Sequence, residues 1–322
     1  MNAAVLHTIN QPPHFEQFPE PFAEENEVIV HVRAAALKPI DKQMASGAHY
    51  AAYSKLPAVC GIDGVGRLDD GTRVYFGGPR PPYGSMAERT VVSRARCFPI
   101  PDNVNDDIAA AVVNPGLSAW GALVWRAQLA PGETVLILGA TGVTGKLAIQ
   151  TAKLLGAGRV IGAGRNEQVL NTLHDLGADT TIHLGKPGQD LTEAFVREAG
   201  DRGFDVIIDY LWGTTTEAVL GAIARSDLKP ASSRVRLVVV GESAGPTISL
   251  PAAVLRSSRL EILGAGSGSA AASPEMWIEA VRQLMSNIAC GTLRIDTERV
   301  PLVEAANAWH QEQHGRRVVI IP

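Results

Sequence analysis

Cysteine is scarce. Cys60, Cys97 and Cys290 are the three in 322 residues, and they lie far apart. That spacing forms neither a metal-type cluster nor a disulfide framework, and it suits a reducing compartment, the cytoplasm. An excess of one charge is also missing. The net charge is −4 and no basic block occurs, which argues against a nucleic-acid partner. No apolar run is expected to span a bilayer, so no membrane partner is expected either. The N-terminus lacks a basic region followed by an apolar segment, so it does not read as a secretory signal. No internal repeat or low-complexity tract is evident. The chain has 46% hydrophobic and 19% charged residues, which suits a soluble protein of two domains with ample core.

The sequence is organised around Glu133 to Arg165. The apolar run Thr134-Val135-Leu136-Ile137-Leu138 has the length of a fully buried parallel strand. A tight turn follows, Gly139-Ala140-Thr141-Gly142-Val143-Thr144-Gly145, and then a helix with Leu147, Ala148, Ala152 and Leu155 at helical spacing, ended by Gly156. A second apolar run, Arg159-Val160-Ile161, stops at Gly162-Ala163-Gly164-Arg165. Strand, Gly-rich turn, helix and strand make the βαβ unit that binds dinucleotides. Gly142 lets backbone approach a pyrophosphate, Gly145 lets helix and strand pack closely, and the first-turn N–H groups hold the anion with help from the helix dipole. The strict glycine pattern is not met, because Ala140 stands where its first glycine would be. The strand before it and the helix and strand after it carry the assignment instead.

The end of the second strand bears on which dinucleotide binds. An NAD-preferring site places Asp or Glu there for the ribose hydroxyls. This chain has Gly164-Arg165-Asn166 and no acid before Glu167. A guanidinium pairs with a 2′-phosphate that an acid would repel, so the residues favour NADPH. The alternative is that Arg165 is a solvated residue at a helix start.

Residues 1 to about 115 read differently. Ala3–Leu6 and Glu27–Val32 are strand-like, and prolines and glycines punctuate the rest, which predicts a compact β-rich domain. Asp106 to Leu129 predicts helix, broken at Asn114-Pro115-Gly116. From Gly132 to about Gly266 strands alternate with helices: Asp179–Ile182, Phe204–Asp209, Arg236–Gly241 and Leu260–Gly264 add to the two above. The fold class is therefore α/β, with a doubly wound parallel sheet whose ligand sits at the carboxyl ends of its strands. Residues 274–290 predict an amphipathic helix. A helix near Leu302 to His310 and a final strand at Val318–Ile321 follow, and this tail is expected to return to the first domain.

The order of parts resembles the medium-chain dehydrogenase/reductases, and among them the zinc-independent quinone oxidoreductases. The resemblance spans essentially the whole chain. It rests on Ala35–Asp41, Leu56–Gly66, Tyr83–Glu88, Asn114–Trp120 and the turn Gly139–Gly145. It implies a GroES-like catalytic domain, residues 1–117 and 267–322, and a Rossmann domain, residues 118–266, that binds NADPH. The zinc ligands of the alcohol dehydrogenases fall on Lys38, Ile62 and Asn114, which cannot form a Cys/His site. No metal is expected, and an acceptor that takes hydride without a Lewis acid is implied: a quinone or an activated enone.

The resemblance also implies site residues. Tyr50 and Tyr53 border the substrate, where either donates a proton or stacks on a ring, or else is a surface-loop aromatic. Trp120 is a further substrate contact. Lys38 stabilises an oxyanion or is a solvated lysine. Asp41 and Asp63, beside tight turns, read as structural hydrogen-bond acceptors in preference to the alternative, general bases. Cofactor contacts comprise Ala140, Thr141, Gly142, Val143, Thr144, Gly145, Gly164, Arg165, Asn166, Gly241, Glu242, Gly264, Ala265, Gly266 and Arg317. Departures are His183-Leu184, where relatives often carry a tyrosine, and Trp212 after Asp209-Tyr210. The sixth strand of the sheet is an edge, and relatives join two subunits there, which implies a homodimer. Two other functions stay open: reduction of activated C=C bonds, and a non-catalytic NADPH-binding redox sensor.

Overall fold

The computed structural model describes residues 1–49, 52–224, 234–266, 273–311 and 315–322. The chain divides into two compact units, Met1–Asn114 with Ile278–Pro322, and Pro115–Trp277.

The N-terminal stretch runs β1 (Asn2–Leu6), β2 (His14–Gln17), β3 (Glu27–Ala36), α1 (Pro39–Ala45), β4 (Ala58–Val59), β5 (Asp63–Arg67), β6 (Arg73–Gly77), β7 (Arg89–Ser93) and β8 (Cys97–Pro99). In β3, Val28, Val30 and Val32 alternate inward, the period-two burial of a strand with one packed face. Its pairing with β5 shifts register between Val32 and Ala34. Ala34, Ala35 and Ala36 beyond that point are all fully buried. β1 lies between β2 and β4 in a three-stranded antiparallel sheet.

α2 (Asp106–Trp120) departs from expectation. It runs through Pro115 without a break and continues as a π-helical segment, Gly121–Arg126. A mid-helix proline costs about 3 kcal/mol. The flanking residues Ala109–Val113, Leu117 and Ala119 are buried, and burial of that many apolar side chains outweighs the lost hydrogen bond. Contrary to the expectation above, the joined helical stretch Asp106–Arg126, 21 residues, is long and apolar enough to match a bilayer span. Since 67% of its apolar window is buried inside the protein, it is a core helix.

The second unit contains β9 (Thr134–Leu138), α3 (Val143–Leu154), β10 (Arg159–Gly164), α4 (Glu167–Thr172), β11 (Thr180–His183), α5 (Leu191–Ala199), β12 (Val206–Asp209), α6 (Gly213–Ile223), β13 (Val235–Val239), α7 (Ala252–Ser257) and β14 (Leu260–Gly264). The strands form one six-stranded sheet in the order β11-β10-β9-β12-β13-β14, every pair parallel. All residues of β9 are buried. Val135 and Ile137 enter one core with Ala148, Ile149 and Leu170, while Leu136 and Leu138 enter another with Phe195, Val219 and Leu220. Helices therefore cover both faces. The strand order reverses between β9 and β12, and that reversal opens a crevice for ligands at the strands' carboxyl ends.

The tail comprises α8 (Pro274–Ala289), β15 (Thr297–Pro301), α9 (Ala305–His310) and β16 (Arg317–Ile321). β16 pairs antiparallel with β3, Val319 opposite Ala36, and parallel with β15. The tail thus completes a seven-stranded sheet with the N-terminal strands.

Candidate functional site

The turn after β9 is stitched to the next strand. The Gly139 and Ala140 N–H groups both donate to the Ala163 carbonyl at 2.9 Å, and the Gly142 N–H donates to the Gly139 carbonyl at 3.0 Å. Gly139 has φ +85°, a left-handed conformation that permits the sharp exit from the strand. A Cβ on Gly145 would lie 2.3 Å from the Gly139 carbonyl oxygen and 2.6 Å from Ala140 Cα. Both are backbone atoms, so α3 seats against the turn only through a glycine. Gly164 is similar: a Cβ there would lie 2.4 Å from Thr141 Cγ2.

Gly142 differs. It is exposed, and a Cβ would meet nothing closer than the Gly139 oxygen at 3.4 Å. It is the N-cap of α3 and contributes no side-chain cap, so the first-turn N–H groups of Val143, Thr144 and Gly145 have no intrahelical acceptor. Open space beside uncapped donors at a helix N-terminus fits a diphosphate. Arg165 follows β10 directly, is exposed, and has no ion pair among the described residues. Asn166 caps α4, its Oδ1 accepting from the Val169 N–H at 3.0 Å.

The other carboxyl ends lie along the same edge. Asp209, at the end of β12, accepts from the Leu211 and Trp212 N–H groups at 2.8 and 2.9 Å and from the Thr216 hydroxyl at 2.6 Å. Burial pushes its carboxyl up, against those three donors. The turn holds Trp212 at φ +57° and ψ −161°, a region that costs a residue with a side chain about 1–3 kcal/mol. The sequence marks Trp212 as unusual; the clamp by Asp209 has no sequence signal beyond an acid at a strand end. The Gly241 N–H donates to the Asp209 carbonyl at 3.1 Å, and the Ala265 N–H to Val239 at 2.8 Å. Gly241 is half-buried, and Glu242, Gly264 and Gly266 are exposed on these loops.

The remaining residues behave otherwise. Tyr50 lies outside the described residues. Trp120 ends α2 and is half-buried. Tyr53 packs its ring against the core containing Leu37 and Cys60. Its hydroxyl is buried beside Cys60 and the Gly61 backbone, so it points inward.

Lys38 is 1% exposed, which removes the solvated reading. Its ammonium donates to the Ala36 carbonyl and to Asp63 Oδ1, both at 2.8 Å, and lies 3.2 Å from Asp41 Oδ2. The Lys38 backbone N–H also donates to Asp41 Oδ2 at 2.8 Å, and the Tyr75 hydroxyl to Asp63 Oδ2 at 3.0 Å. Burial works against the Lys38 charge, but Asp41 and Asp63 outweigh it and hold the ammonium above its ordinary range. Arg317 joins the group and donates to the Leu37 carbonyl at 3.1 Å; burial draws it down to about 10, so it stays charged at neutral pH. Two of the ammonium's donors go to Ala36 and Asp63, and the ion pair with Asp41 keeps the buried nitrogen turned to these three oxygens, away from a substrate oxyanion. Sequence reasoning missed this cluster. Its only trace is a lysine after the apolar run Ala34–Leu37 with an acid three residues on.

Among the described residues, no three His, Cys, Asp or Glu side chains are placed to share a metal ion. Residues 143–287 match the family model described as zinc-binding dehydrogenase. The name does not fit this chain's donor set, since Lys38, Ile62 and Asn114 offer no thiolate or imidazole. A probable NADPH-dependent quinone reductase, tdiC, of Emericella nidulans is 28% identical over the full length of both chains. The chloroplastic NADPH-dependent alkenal/one oxidoreductase of Arabidopsis thaliana is 31% identical over 59% of this chain and 51% of its own. The crystal structure of the Pseudomonas syringae pv. Tomato DC3000 quinone oxidoreductase superposes over all of both chains with a TM-score of 0.86 and 25% identity. With the strand order and glycine turn above, these matches show a chain similar to the medium-chain dehydrogenase/reductases of the quinone oxidoreductase-like kind.

Proposed function

We propose that this chain is a zinc-independent, NADPH-dependent oxidoreductase whose acceptor is a quinone. One observation carries the reading: the uncapped N-terminus of α3 faces open space at Gly142, with the exposed Arg165 at the end of the adjacent strand. The turn's backbone N–H groups would hold the diphosphate, and Arg165 would pair with the 2′-phosphate. Bound NADPH supplies the hydride. The protein's own contribution is positioning and exclusion of water. Tyr53 offers a ring face, because its hydroxyl is turned inward. Tyr50 is the remaining tyrosine of that segment to bring a proton donor to the acceptor oxygen. Lys38 acts within the fold.

The quinone is supported by the likeness to the probable NADPH-dependent quinone reductase of Emericella nidulans. A second reading, reduction of the C=C bond of an enone or alkenal, is supported by the likeness to the plant alkenal/one oxidoreductase. Initial rates of NADPH and NADH oxidation with benzoquinone, phenanthrenequinone and an alkenal separate them. Tyr50→Phe sharpens the test: loss of alkenal but not quinone turnover favours the second reading. Tight NADPH binding without turnover of any acceptor would overturn both.

β14 pairs only with β13 among the described residues, and its outer edge supports the proposal of a two-fold homodimer that extends the sheet. Three free cysteines, with Cys60 buried, support the proposal of a reducing, cytoplasmic location.

A further inference from the structure

Lys38 is the one buried lysine among the described residues. The oxygens around its ammonium come from three elements: Ala36 at the end of β3, Asp41 in the first turn of α1, and Asp63 at the start of β5. Lys38 is also the N-cap of α1. α1 leads through Ser46 and Gly47, which has φ +76°, toward Tyr53. Two buried carboxylates that share one cation are costly once that cation is gone, because neither has water to replace it.

We propose that Lys38 is a positioning residue, a tethered cation in a cage of three oxygens that locks the first turn of α1 to β3 and β5 and so fixes the segment carrying Tyr53. The charge does the fixing and the tether delivers it. Truncating the lysine leaves a cage and a channel the width of its stem, and a free primary alkylammonium ion refills both. Neither a bulky quaternary ion nor a neutral amide does, because neither provides three N–H donors on one charged nitrogen. The claim about folding is independent of the proposed reaction. The claim about Tyr53 rests on that reading and is read separately.

The test uses the full chain and Lys38→Ala. Thermal unfolding is measured with n-butylammonium, ammonium or tetramethylammonium chloride at matched ionic strength. Lys38→Ala is expected to unfold roughly 10 °C below the wild type. Butylammonium should recover much of that loss with saturation, ammonium less, and tetramethylammonium none, while the wild type responds to none of them. Equal responses to all three salts, or none to any, overturn the proposal. In kinetics, Lys38→Ala should raise the quinone KM and butylammonium should lower it again. The NADPH dissociation constant should stay unchanged throughout. An NADPH constant that moves with KM overturns the link to the Tyr53 segment but leaves the caged-cation result standing.

Should Lys38→Ala fail to accumulate folded, Lys38→Met answers the question by its pH dependence. It fills the stem's volume but leaves Asp41 and Asp63 facing Arg317 (with Lys42 beside it), Tyr53, Cys60 and Tyr75 without their shared ammonium. Burial already pushes the Asp41 carboxyl up and the Lys38 charge opposes that rise; without the ammonium it rises further, so the variant's stability falls as pH rises through it. Its deficit against the wild type should be smaller in mild acid than at neutral pH. A deficit that does not change with pH overturns the proposal.

Discussion

Gly142→Ala separates binding from folding. Gly142 has φ −79° and ψ 163°, which alanine adopts without strain. The added methyl meets only the Gly139 oxygen, at 3.4 Å, an ordinary contact. Alanine is a poorer N-cap than glycine by about 0.5–1 kcal/mol. It regains about 0.4–1 kcal/mol by restricting the unfolded chain. The two nearly cancel, so the free protein should unfold within about 1 kcal/mol of the wild type. The bound state is different, because the methyl takes the space through which a diphosphate approaches Val143, Thr144 and Gly145. Losing a single N–H bond to a charged oxygen forfeits about 1.5–3 kcal/mol, roughly a ten- to hundredfold rise in the NADPH Kd. Gly145→Ala should show the opposite order of effects. Its methyl would sit 2.3 Å from a backbone oxygen, and the helix must shift at a cost of about 1–3 kcal/mol to the fold itself. Thermal unfolding of the free chains and fluorescence titration with NADPH measure both quantities. Wild-type NADPH affinity in Gly142→Ala would refute the assignment of this turn.

Arg165→Ala should raise the NADPH KM about tenfold, the worth of one exposed Arg–phosphate pair, and leave NADH nearly unchanged; equal losses would remove its role. Asp179→Asn tests a pH dependence. Asp179 Oδ2 accepts from the Lys153 ammonium and the Val160 N–H, both at 2.6 Å. Burial pushes that carboxyl up, but those two donors together with the charges of Lys153 and Arg159 outweigh it and hold it below the usual range. The unfolded chain then binds this proton more tightly, so the stabilisation is present above about pH 3.9 and is lost as pH falls through the lowered folded value. The asparagine variant should be about 1 kcal/mol less stable at neutral pH, discounted for the partial exposure of the pair. That gap, measured by urea unfolding, should shrink in acid, and a constant gap contradicts the linkage. Ile262→Lys places a charge on the edge strand β14 and should convert the proposed dimer to monomer in size-exclusion chromatography.

What the sequence reveals depends on how local the cause is. β9 is legible because five consecutive residues are buried on both faces, so the run is apolar without alternation. The turn is legible because Gly139 and Gly145 answer to backbone geometry within a few residues. The uninterrupted α2 is not legible. Pro115 predicts a break by its own chemistry, and only burial supplied by distant parts of the chain overrides it. Lys38 reads as a solvated or reactive amine until Asp63, 25 residues on, closes around it. The inward hydroxyl of Tyr53 and the positive φ of Trp212 are likewise set by tertiary neighbours.

The same cluster bears on the choice of chemistry. A zinc ligand must present a lone pair, and a protonated amine has none to give. Asp41 and Asp63 hold Lys38 in that form by keeping its ammonium above the ordinary range, so it does not become a ligand at neutral pH. Ile62 and Asn114 add an alkyl group and an amide at the other two matched positions. Alkoxide stabilisation by a metal is therefore not available from these residues. The acceptor must then stabilise the charge it gains on hydride transfer, which an electron-poor quinone ring does and a simple ketone does not. Dialysis against a chelator should consequently leave NADPH-dependent quinone turnover at its initial rate, and a loss that zinc alone restores would contradict the proposed chemistry.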